Sequence, residues 1–209
     1  MYDGMFKNRK EAGFLLAQKL MHYKGTDSII LAVPRGGVPV GYEVAKTLEL
    51  PLDIVLSKKI GHPYNREFAI GAVSLDSQII DEHPDVPEEY IEKEIVKLRK
   101  SLKEKYTLFR GNLPPISIEG KNVIIIDDGI ATGNTLLVSI AMLRKKNPEK
   151  IIVAVPVLPY NTINVIEENS DEFIYLMAPG NFRGVGGFYE DFQQVDDDEV
   201  IQILSAPIQ

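Results

Sequence analysis

The stretch V-I-I-I-D-D-G-I-A-T-G-N-T, residues 123–135, decides the fold of this chain. Its first four residues are branched aliphatics and indicate a strand buried on both faces, as in a parallel sheet. The strand ends at two adjacent carboxylates, Asp127 and Asp128, and the small residues after them predict a turn. A helical pattern then begins at Asn134 and ends before Pro148. The sequence therefore predicts a strand, a loop and a helix, with two acids at the carboxyl end of the strand.

The loop after the aspartates has the composition of an anion-binding turn. Open α/β sheets bind ligands at the carboxyl ends of their strands. The amides of residues 131–135 converge beside the positive end of the helix, and Thr132 and Thr135 add hydroxyl donors. This combination predicts a phosphate cradle. The carboxylates repel a phosphate, so they need hydroxyl groups or a cation on the same ligand, and a phosphorylated sugar meets both demands.

The same stretch resembles the phosphoribosyl-pyrophosphate signature of the type I phosphoribosyltransferases, in which two acids precede a short turn and A-T-G-x-T. The resemblance implies transfer of a 5-phosphoribosyl group to a nitrogen nucleophile with release of pyrophosphate. It implies that Asp127 and Asp128 accept the ribose hydroxyls and act in catalysis. Residues that the resemblance assigns to the 5-phosphate are Ala131, Thr132, Gly133, Asn134 and Thr135. Ala131 replaces an Asp of the hypoxanthine-guanine enzymes, which argues against that branch.

A second strand, turn and helix lie upstream. Ser28–Val33 predicts a buried strand, and the sequence P-R-G-G follows it. Arg35 carries a planar fork suited to phosphate, and Gly36 and Gly37 allow a ligand to approach the backbone. Alone, this is most simply an ordinary turn with an exposed arginine. The family resemblance instead assigns the pyrophosphate loop here and implies a cis non-proline peptide near Arg35.

The segment 57–74 is the main source of candidate cations. Its first half is basic and interrupted by Gly61 and Pro63, which predicts a loop, and its second half alternates like a strand that pairs with Gln78–Asp81. In the resembling family this region is a mobile loop that closes over pyrophosphate and carries a catalytic cation. The candidates are Lys58, Lys59 and Arg66. A solvated loop without a catalytic role is the alternative.

Two further segments are candidates for the hood that covers the base in this family. Apolar periodicity predicts a helix over Asp85–Arg110, capped by Asp85, within an insertion at about 85–112. An interface helix is the alternative for this segment. The C-terminal tail, 180–209, is the second hood candidate, and its aromatic rings are suited to stack on a flat base. The stacking candidates are Phe182, Phe188 and Tyr189.

A helix is also predicted at the amino end, from about Arg9 to Tyr23, with Asn8 as its cap.

Composition limits the remaining choices. The chain has 209 residues, 44% of them hydrophobic and 25% charged, as expected for one globular domain. It has no cysteine, which excludes disulfides, thiolate catalysis and cysteine-based zinc sites. A net charge of −7 argues against a nucleic-acid partner. No apolar run has transmembrane length and the first ten residues are polar, so we expect no membrane association and a cytoplasmic location.

These patterns predict an α/β fold: a single three-layer α/β/α domain over 1–209, with a mostly parallel sheet of about five strands and a hood. Two small-molecule partners are expected, phosphoribosyl pyrophosphate and a nitrogenous base or amine. We expect Mg²⁺ to arrive bound to the diphosphate, with no metal site made by the protein alone. A homodimer is left open. The alternative function is a non-catalytic regulator that binds phosphoribosyl pyrophosphate or a nucleotide, and the cations of 57–74 favour the enzyme. We also expect the two aspartates to lie at a solvent-open strand end.

Overall fold

The computed structural model describes residues 4–208, so the first three residues and the last one of the predicted domain and tail lie outside the described residues. The strands are β1 (Ser28–Ala32), β2 (Leu52–Ile54), β3 (Ser57–His62), β4 (Asn65–Ser74), β5 (Gln78–Ile80), β6 (Asn122–Ile126), β7 (Lys150–Val157) and β8 (Glu172–Met177). The helices are α1 (Arg9–Lys19), α2 (Gly37–Leu48), α3 (Glu88–Arg110), α4 (Asn134–Arg144), α5 (Ile163–Asn169) and α6 (Asp197–Ser205). Among these residues, no helix is both long enough and apolar enough to cross a membrane.

The centre of the fold is a five-stranded parallel sheet in the order β2-β1-β6-β7-β8. Residues that alternate along each strand enter two separate apolar clusters. On β6, Ile124 and Ile126 join the cluster that α1, α2 and α6 cover, whereas Val123 and Ile125 join the cluster under α4 and α5. Burial on both faces explains the unbroken aliphatic run of β6. The predicted α/β/α architecture with a mostly parallel sheet is confirmed.

The strand order places the two predicted loops side by side. Since β1 and β6 are neighbours and run parallel, the loops that leave their carboxyl ends lie at the same edge of the sheet. The amide of Val33 donates to Ile126 O at 2.8 Å and extends the pairing to the last residue of β6. The glycine turn after β1 and the aspartate pair after β6 therefore adjoin each other.

A small antiparallel sheet, β3-β4-β5, stands beside the main one. Its pairing of β4 with β5 matches the predicted pairing, but the loop predicted for the first half of 57–74 is wrong, because Ser57–His62 pairs with Asn65–Ser74 as a hairpin. The register shifts on either side of Gly61, where a side chain would meet Arg66 O at 2.6 Å. The glycine that suggested a broken loop instead permits a bulge within a strand.

Two predicted helix boundaries need correction. The first helix ends at Lys19, and residues 21–23 form a separate 3-10 turn, although Asn8 caps the helix as predicted by accepting from the amide of Glu11 at 3.0 Å. The long helix begins at Glu88, and Asp85 does not cap it. Asp85 instead accepts a hydrogen bond from His62 at 3.0 Å, which ties the tip of the hairpin to the start of α3.

The C-terminal tail crosses the carboxyl edge of the main sheet and joins the amino end of the chain. Phe6 forms an isolated parallel bridge with Tyr189, with Phe6 N donating to Phe188 O at 2.9 Å and Glu190 N donating to Phe6 O at 2.8 Å. After this crossing, Asp196 caps α6 by accepting from Glu199 N at 2.8 Å, and α6 packs on α2 and α3. The segments around Phe6 and Tyr189 therefore meet beside the aspartate loop.

Candidate active site

The glycine turn after β1 leaves room for the two aspartates. A Cβ atom built on Gly36 would fall 2.0 Å from Asp128 Oδ2, and one on Gly37 would fall 2.7 Å from Ile126 O and 2.9 Å from the Cα atom of Asp127. The peptide between Pro34 and Arg35 is cis, at the position that the resemblance implies. The missing side chains therefore let the turn pack directly against both carboxylates.

Each aspartate has one oxygen held and one oxygen without an external donor. Asp127 Oδ1 accepts from the amide of Asp128 at 2.8 Å, and Asp128 Oδ2 accepts from Arg9 Nε at 2.8 Å. Within residues 4–208, no donor from outside the pair reaches the second carboxylate oxygen of either residue. The two carboxyl groups also hydrogen-bond each other. The pair therefore keeps lone pairs that can accept hydrogen bonds from the hydroxyl groups of a ligand.

The electrostatics of the pair differ from those of an open strand end. The side chain of Asp128 is only 13% exposed, so the expectation of solvent-open acids is wrong. Burial and the neighbouring carboxylate of Asp128 raise the pKa of Asp127 well above its usual value. Burial also raises the pKa of Asp128, while the hydrogen bond and positive charge of Arg9 oppose that rise. Two acids this close cannot both ionise easily, so the proton resides on Asp127 before the negative charge on Asp128 is lost.

Arg9 is the site residue that the sequence analysis missed. It is the first residue of α1, and its guanidinium lies 3.9 Å above the ring of Phe192 while NH1 donates to Gln193 O at 2.7 Å. Only 12% of its side chain is exposed. No motif separates it from the other cations of the amino end, because its partner Asp128 is 119 residues away along the chain.

The phosphate cradle has the predicted backbone form. Gly133 adopts a left-handed conformation, with φ of 79°, and α4 begins at the next residue without a side-chain cap. The first-turn amides of α4 therefore have no side-chain acceptor from the described part of the chain. Ala131, Thr132, Asn134 and Thr135 are all exposed around this turn. The geometry provides several backbone donors, two hydroxyl groups and the positive end of a helix to one small anion.

The candidate cations are placed on different sides of the hairpin. Lys59 lines a cleft that also contains Asn134 and Thr135, and its Nζ donates to Glu67 Oε2 at 3.0 Å. Lys58 points the other way and donates to Ser101 Oγ of α3 at 2.8 Å, so the structure makes it an anchor of the hairpin. Among the described residues, exposed Arg66 has no side-chain hydrogen bond or ion pair. Only Lys59 therefore faces the cradle in this conformation.

Arg35 has a partner outside the turn. Its NH1 lies 3.6 Å from Asp197 Oδ1 at the start of α6, and 36% of its side chain is exposed. An exposed pair of this kind is weak and exchanges readily for a more highly charged ligand. Arg35 is thus held near the glycine turn while remaining available to an anion there.

The aromatic candidates of the tail divide into two groups. Phe182 and Phe188 are half-buried and stack on each other, with ring centroids 5.5 Å apart. Tyr189 is 3% exposed, packs on Phe6 and Phe192, and donates its hydroxyl to Asp128 O at 2.6 Å. Its burial corrects the prediction that it stacks on a base: it packs the tail onto the aspartate loop.

An open groove runs from the cradle to the tail. It is lined by Ala131, Thr132, Pro159, Tyr160, Asn161, Thr162, Val165, Gly180 and Phe182. None of these side chains is a carboxylate, an amine or an imidazole. Tyr160 is 69% exposed there, and neither Tyr160 nor Asn161 makes a side-chain hydrogen bond to any residue in 4–208. We name these residues the uncharged groove.

A comparison with protein families identifies the family of this chain. The family model described as a phosphoribosyl transferase domain matches residues 4–192, which includes the glycine turn, the hairpin, the aspartate loop and the aromatic tail. The chain belongs to the phosphoribosyl transferase family. Within residues 4–208, no group of three or more His, Asp or Glu side chains is arranged to hold a metal ion.

Three proteins from other organisms are similar to this phosphoribosyl transferase family member. A Mycobacterium tuberculosis protein, provisionally named a phosphoribosyl transferase, is 34% identical over 96% of this chain, which spans only 46% of that relative. A Thermus thermophilus protein of known crystal structure is 34% identical with a TM-score of 0.84, over 96% of this chain and 97% of that one. A purine phosphoribosyltransferase from Pyrococcus horikoshii is 20% identical with a TM-score of 0.50, over 90% and 92% of the two chains, and shows a shared fold.

Proposed function

We propose that this protein transfers a 5-phosphoribosyl group from phosphoribosyl pyrophosphate to a nitrogen acceptor and releases pyrophosphate. The observation that carries the proposal is the pairing of two unsatisfied carboxylate oxygens with an uncapped helix start in one loop. The loop provides acceptors for the two ribose hydroxyls and donors for the 5-phosphate. A ligand with only a phosphate, or only a sugar, would use half of the loop.

The parts of the substrate are assigned by charge. The 5-phosphate binds the amides of 131–135, including those of Thr132 and Thr135. The ribose hydroxyls donate to carboxyl oxygens of Asp127 and Asp128, and the hydrogen bond to the charged Asp128 contributes about 1.5–3 kcal/mol. The pyrophosphate lies over the glycine turn. There Arg35 breaks its ion pair with Asp197 and pairs with the pyrophosphate instead. This arrangement stretches the substrate between two anion sites with the sugar against the acids.

The same charges assist the chemistry. As the bond between C1 and the pyrophosphate oxygen breaks, its electron pair leaves with pyrophosphate and the sugar becomes cationic. The negative charge on Asp128 then stabilises the sugar, while Arg35, Lys59 and Arg66 stabilise the leaving group once the hairpin closes. The acceptor nitrogen forms the new bond to C1. Its proton leaves to solvent, because the uncharged groove provides no carboxylate or imidazole to take it.

Magnesium fits the residues present as a companion of the substrate. Phosphate oxygens and water are among the ligands that it prefers, and we propose that oxygens of the substrate and water hold it. When bound with the diphosphate, it supplies positive charge that stabilises the departing pyrophosphate. We assign the protein residues no share in its coordination.

The acceptor is assigned to the uncharged groove. Thr132 and Ala131 belong both to this groove and to the cradle, so an acceptor there adjoins the sugar. Phe182, supported by Phe188, provides an apolar face for a flat ring, and Asn161 provides an amide donor and acceptor. The position of Ala131 leaves no carboxylate for the ring nitrogen of a purine.

The test is release of pyrophosphate in the presence of magnesium against a panel of purines, pyrimidines, ammonia and simple amines. We expect release with at least one acceptor, and none from a variant with both Asp127→Asn and Asp128→Asn. A regulator that only binds the substrate is the alternative function. Tight binding of phosphoribosyl pyrophosphate by calorimetry without release for any acceptor would favour that alternative, whereas absence of binding would refute both.

A further inference from the structure

Arg9 joins three parts of the molecule that are distant in sequence. Its Nε contacts Asp128 in the aspartate loop, and its NH1 contacts Gln193 O in the tail. The guanidinium also covers the ring of Phe192, at 3.9 Å from the centroid. Three contacts fix the plane of the guanidinium, so this buried cation keeps one orientation. In that orientation, its Nε–H group points toward Oδ2 of Asp128.

The contact also fixes which oxygen of Asp128 is available. Oδ2 lies between Arg9 and the backbone of Gly36, where a Cβ atom would be only 2.0 Å away. This oxygen has no room for a sugar hydroxyl. The same Cβ atom would lie 3.1 Å from Oδ1, so Oδ1 is the less enclosed oxygen and the one that we assign to the ligand. Without Arg9, rotation of the carboxylate would cost little and either oxygen could turn away from the ligand.

We propose that Arg9 is a positioning residue for the ribose site, which keeps Asp128 anionic and keeps its Oδ1 turned toward the substrate. This inference rests on the proposed function, because it assigns Arg9 a task in binding phosphoribosyl pyrophosphate. Arg9 itself touches Asp128 and the tail, so it acts through Asp128 and does not contact the reacting atoms.

The charge on Asp128 depends on all the ionisable groups around it. Asp127 adjoins it, and the hydrogen bond between the two carboxyl groups lowers the pKa of Asp128, while Arg9 is the cation that contacts it directly. The phenol of Tyr189 binds the backbone oxygen of Asp128, and burial together with the negative charge of Asp128 raises the pKa of that phenol, so it stays neutral. Arg35, next to Gly36, faces Asp197. Removal of Arg9 therefore leaves two adjacent buried acids without a contacting cation.

Removal of Arg9 should change how the binding of phosphoribosyl pyrophosphate depends on pH. Hydroxyl groups of the ribose donate to a carboxylate, and protonation of Asp128 weakens that interaction. Because Arg9 lowers the pKa of Asp128, its removal moves the protonation to higher pH. A structural role of Arg9 in docking the tail would instead weaken binding by the same factor at every pH.

The experiment compares the full chain with three variants. Arg9→Gln removes the charge, Arg9→Lys keeps it, and Phe192→Leu removes the ring under the guanidinium while leaving Arg9 in place. The dissociation constant of magnesium phosphoribosyl pyrophosphate is measured by calorimetry from pH 5.5 to 9, and the melting temperature of each unliganded variant is measured at the same pH values.

We expect Arg9→Gln to bind about tenfold more weakly than wild type at the acid end of this pH range, since protonated Asp128 loses most of one hydrogen bond to a charged acceptor. The difference should narrow to less than about threefold at pH 9, where the acids ionise regardless. Arg9→Lys should keep the pH profile of wild type. A constant loss at all pH values in Arg9→Gln, or the same pH shift in Phe192→Leu, would overturn the proposal.

A second measurement separates this inference from the proposed function. Carbon-13 NMR of the aspartate carboxyl groups follows the titration of Asp128 in the unliganded protein. Arg9→Gln should move that titration to higher pH even if the protein binds no phosphoribosyl pyrophosphate, and an unmoved titration would refute the role of Arg9. Failure of wild type to bind the substrate at any pH, together with a moved titration, would refute only the proposed function.

Discussion

Gly36 lies directly against Asp128: a Cβ atom on this glycine would fall 2.0 Å from Oδ2 of the aspartate. This distance is too short for any pair of carbon and oxygen atoms that are not bonded. The backbone of Gly36 has φ of −60°, which any residue adopts, so a side chain is excluded by space and not by conformation. The glycine turn and the aspartate pair therefore form one unit, although Gly36 and Asp128 are 92 positions apart in the sequence.

The first prediction concerns this contact. Gly36→Ala should push the Asp128 carboxylate away from Arg9, lower the free energy of unfolding by about 1–3 kcal/mol and weaken binding of phosphoribosyl pyrophosphate at least tenfold. Gly187→Ala is the matched control, because a Cβ atom there would have no heavy atom within 4 Å. Chemical denaturation measures the free energy of unfolding, and calorimetry measures the binding of phosphoribosyl pyrophosphate. Equal behaviour of the two variants would contradict the packing argument.

The second prediction concerns stability without ligand. The pKa of Asp127 is raised in the folded state, so folding takes up a proton and stability falls as pH rises from the ordinary value of 3.8 through the folded pKa. Asp127→Asn removes the buried charge and keeps an oxygen for the Asp128 amide. It should raise the melting temperature at pH 8 by about 2–4 °C, or roughly 1 kcal/mol, with no gain near pH 4. A lower melting temperature at pH 8 would contradict the assignment of the proton.

Asp128→Asn provides the contrast to that variant. It leaves the guanidinium of Arg9 buried without an anion, which should lower the free energy of unfolding by about 3 kcal/mol. Both variants should lose binding of phosphoribosyl pyrophosphate. If Asp127→Asn stabilises the protein and Asp128→Asn destabilises it while both lose binding, the role of the pair in binding is separate from its contribution to the fold.

The third prediction distinguishes the two lysines of β3. Lys59 Nζ pairs with Glu67, but the two side chains are 48% and 91% exposed, so the pair adds little to stability. Lys59→Ala should leave the melting temperature nearly unchanged and reduce transfer by about 10²-fold. Lys58→Ala loses the hydrogen bond to Ser101 and should cost about 1 kcal/mol in stability with a small effect on transfer. Reversed effects of the two substitutions would show that the hairpin presents its other face to the substrate.

The fourth prediction concerns the uncharged groove. Phe182→Ala should raise the KM for the acceptor about tenfold, because it removes one stacking face of about 1–1.5 kcal/mol, and should leave the dissociation constant of phosphoribosyl pyrophosphate unchanged. Phe173→Ala is a useful control, since Phe173 stacks on Tyr175 in β8 and lies outside the groove. A loss of substrate affinity in Phe182→Ala would instead place the ring beside the sugar.

Much of the site was predictable because its signals are local. The run of residues 123–126 requires burial on both faces, and the acids after it can only end the strand. The turn at 131–135 is specified by its own glycine, whose φ of 79° suits the start of α4. In the same way, the turn at Arg35 follows its strand directly. The conformation of each of these elements depends on residues within a few positions, so a short stretch of sequence is enough to predict it.

The predictions that were wrong concern residues whose partners are distant in the sequence. The spacing of Asp85 and Glu88 predicted a capping box, but His62 is the partner of Asp85, and only the fold of the hairpin brings His62 there. Residues 57–62 were interpreted as a loop because of Gly61 and Pro63, yet pairing with β4 outweighs the low strand propensity of Gly61 through a bulge. Tertiary pairing overrode the local pattern in both places.

Asp53 shows the same limit within the core. It is 2% exposed, and it accepts from Tyr106 at 3.0 Å and from the amide of Ile116 at 3.0 Å, with Arg110 at 3.2 Å as its counter-ion. A charged residue in the middle of a short strand gives no sign of this role in the sequence. Its partners come from α3 and the segment after it, which only the packing of α3 against β2 brings within reach.

The sequence by itself determined the parallel sheet, the phosphate cradle and the pair of acids, since these follow from periodicity and from the conformations open to a few adjacent residues. Only the tertiary structure decided which oxygen of Asp128 is held by a cation, which lysine lies beside the cradle, and that this cation is Arg9. Those features depend on side-chain direction and on charges brought together in a medium of low polarity, where a single contact shifts a pKa. Such contacts join residues more than a hundred positions apart, as Arg9 and Asp128 are, with a separation of 119.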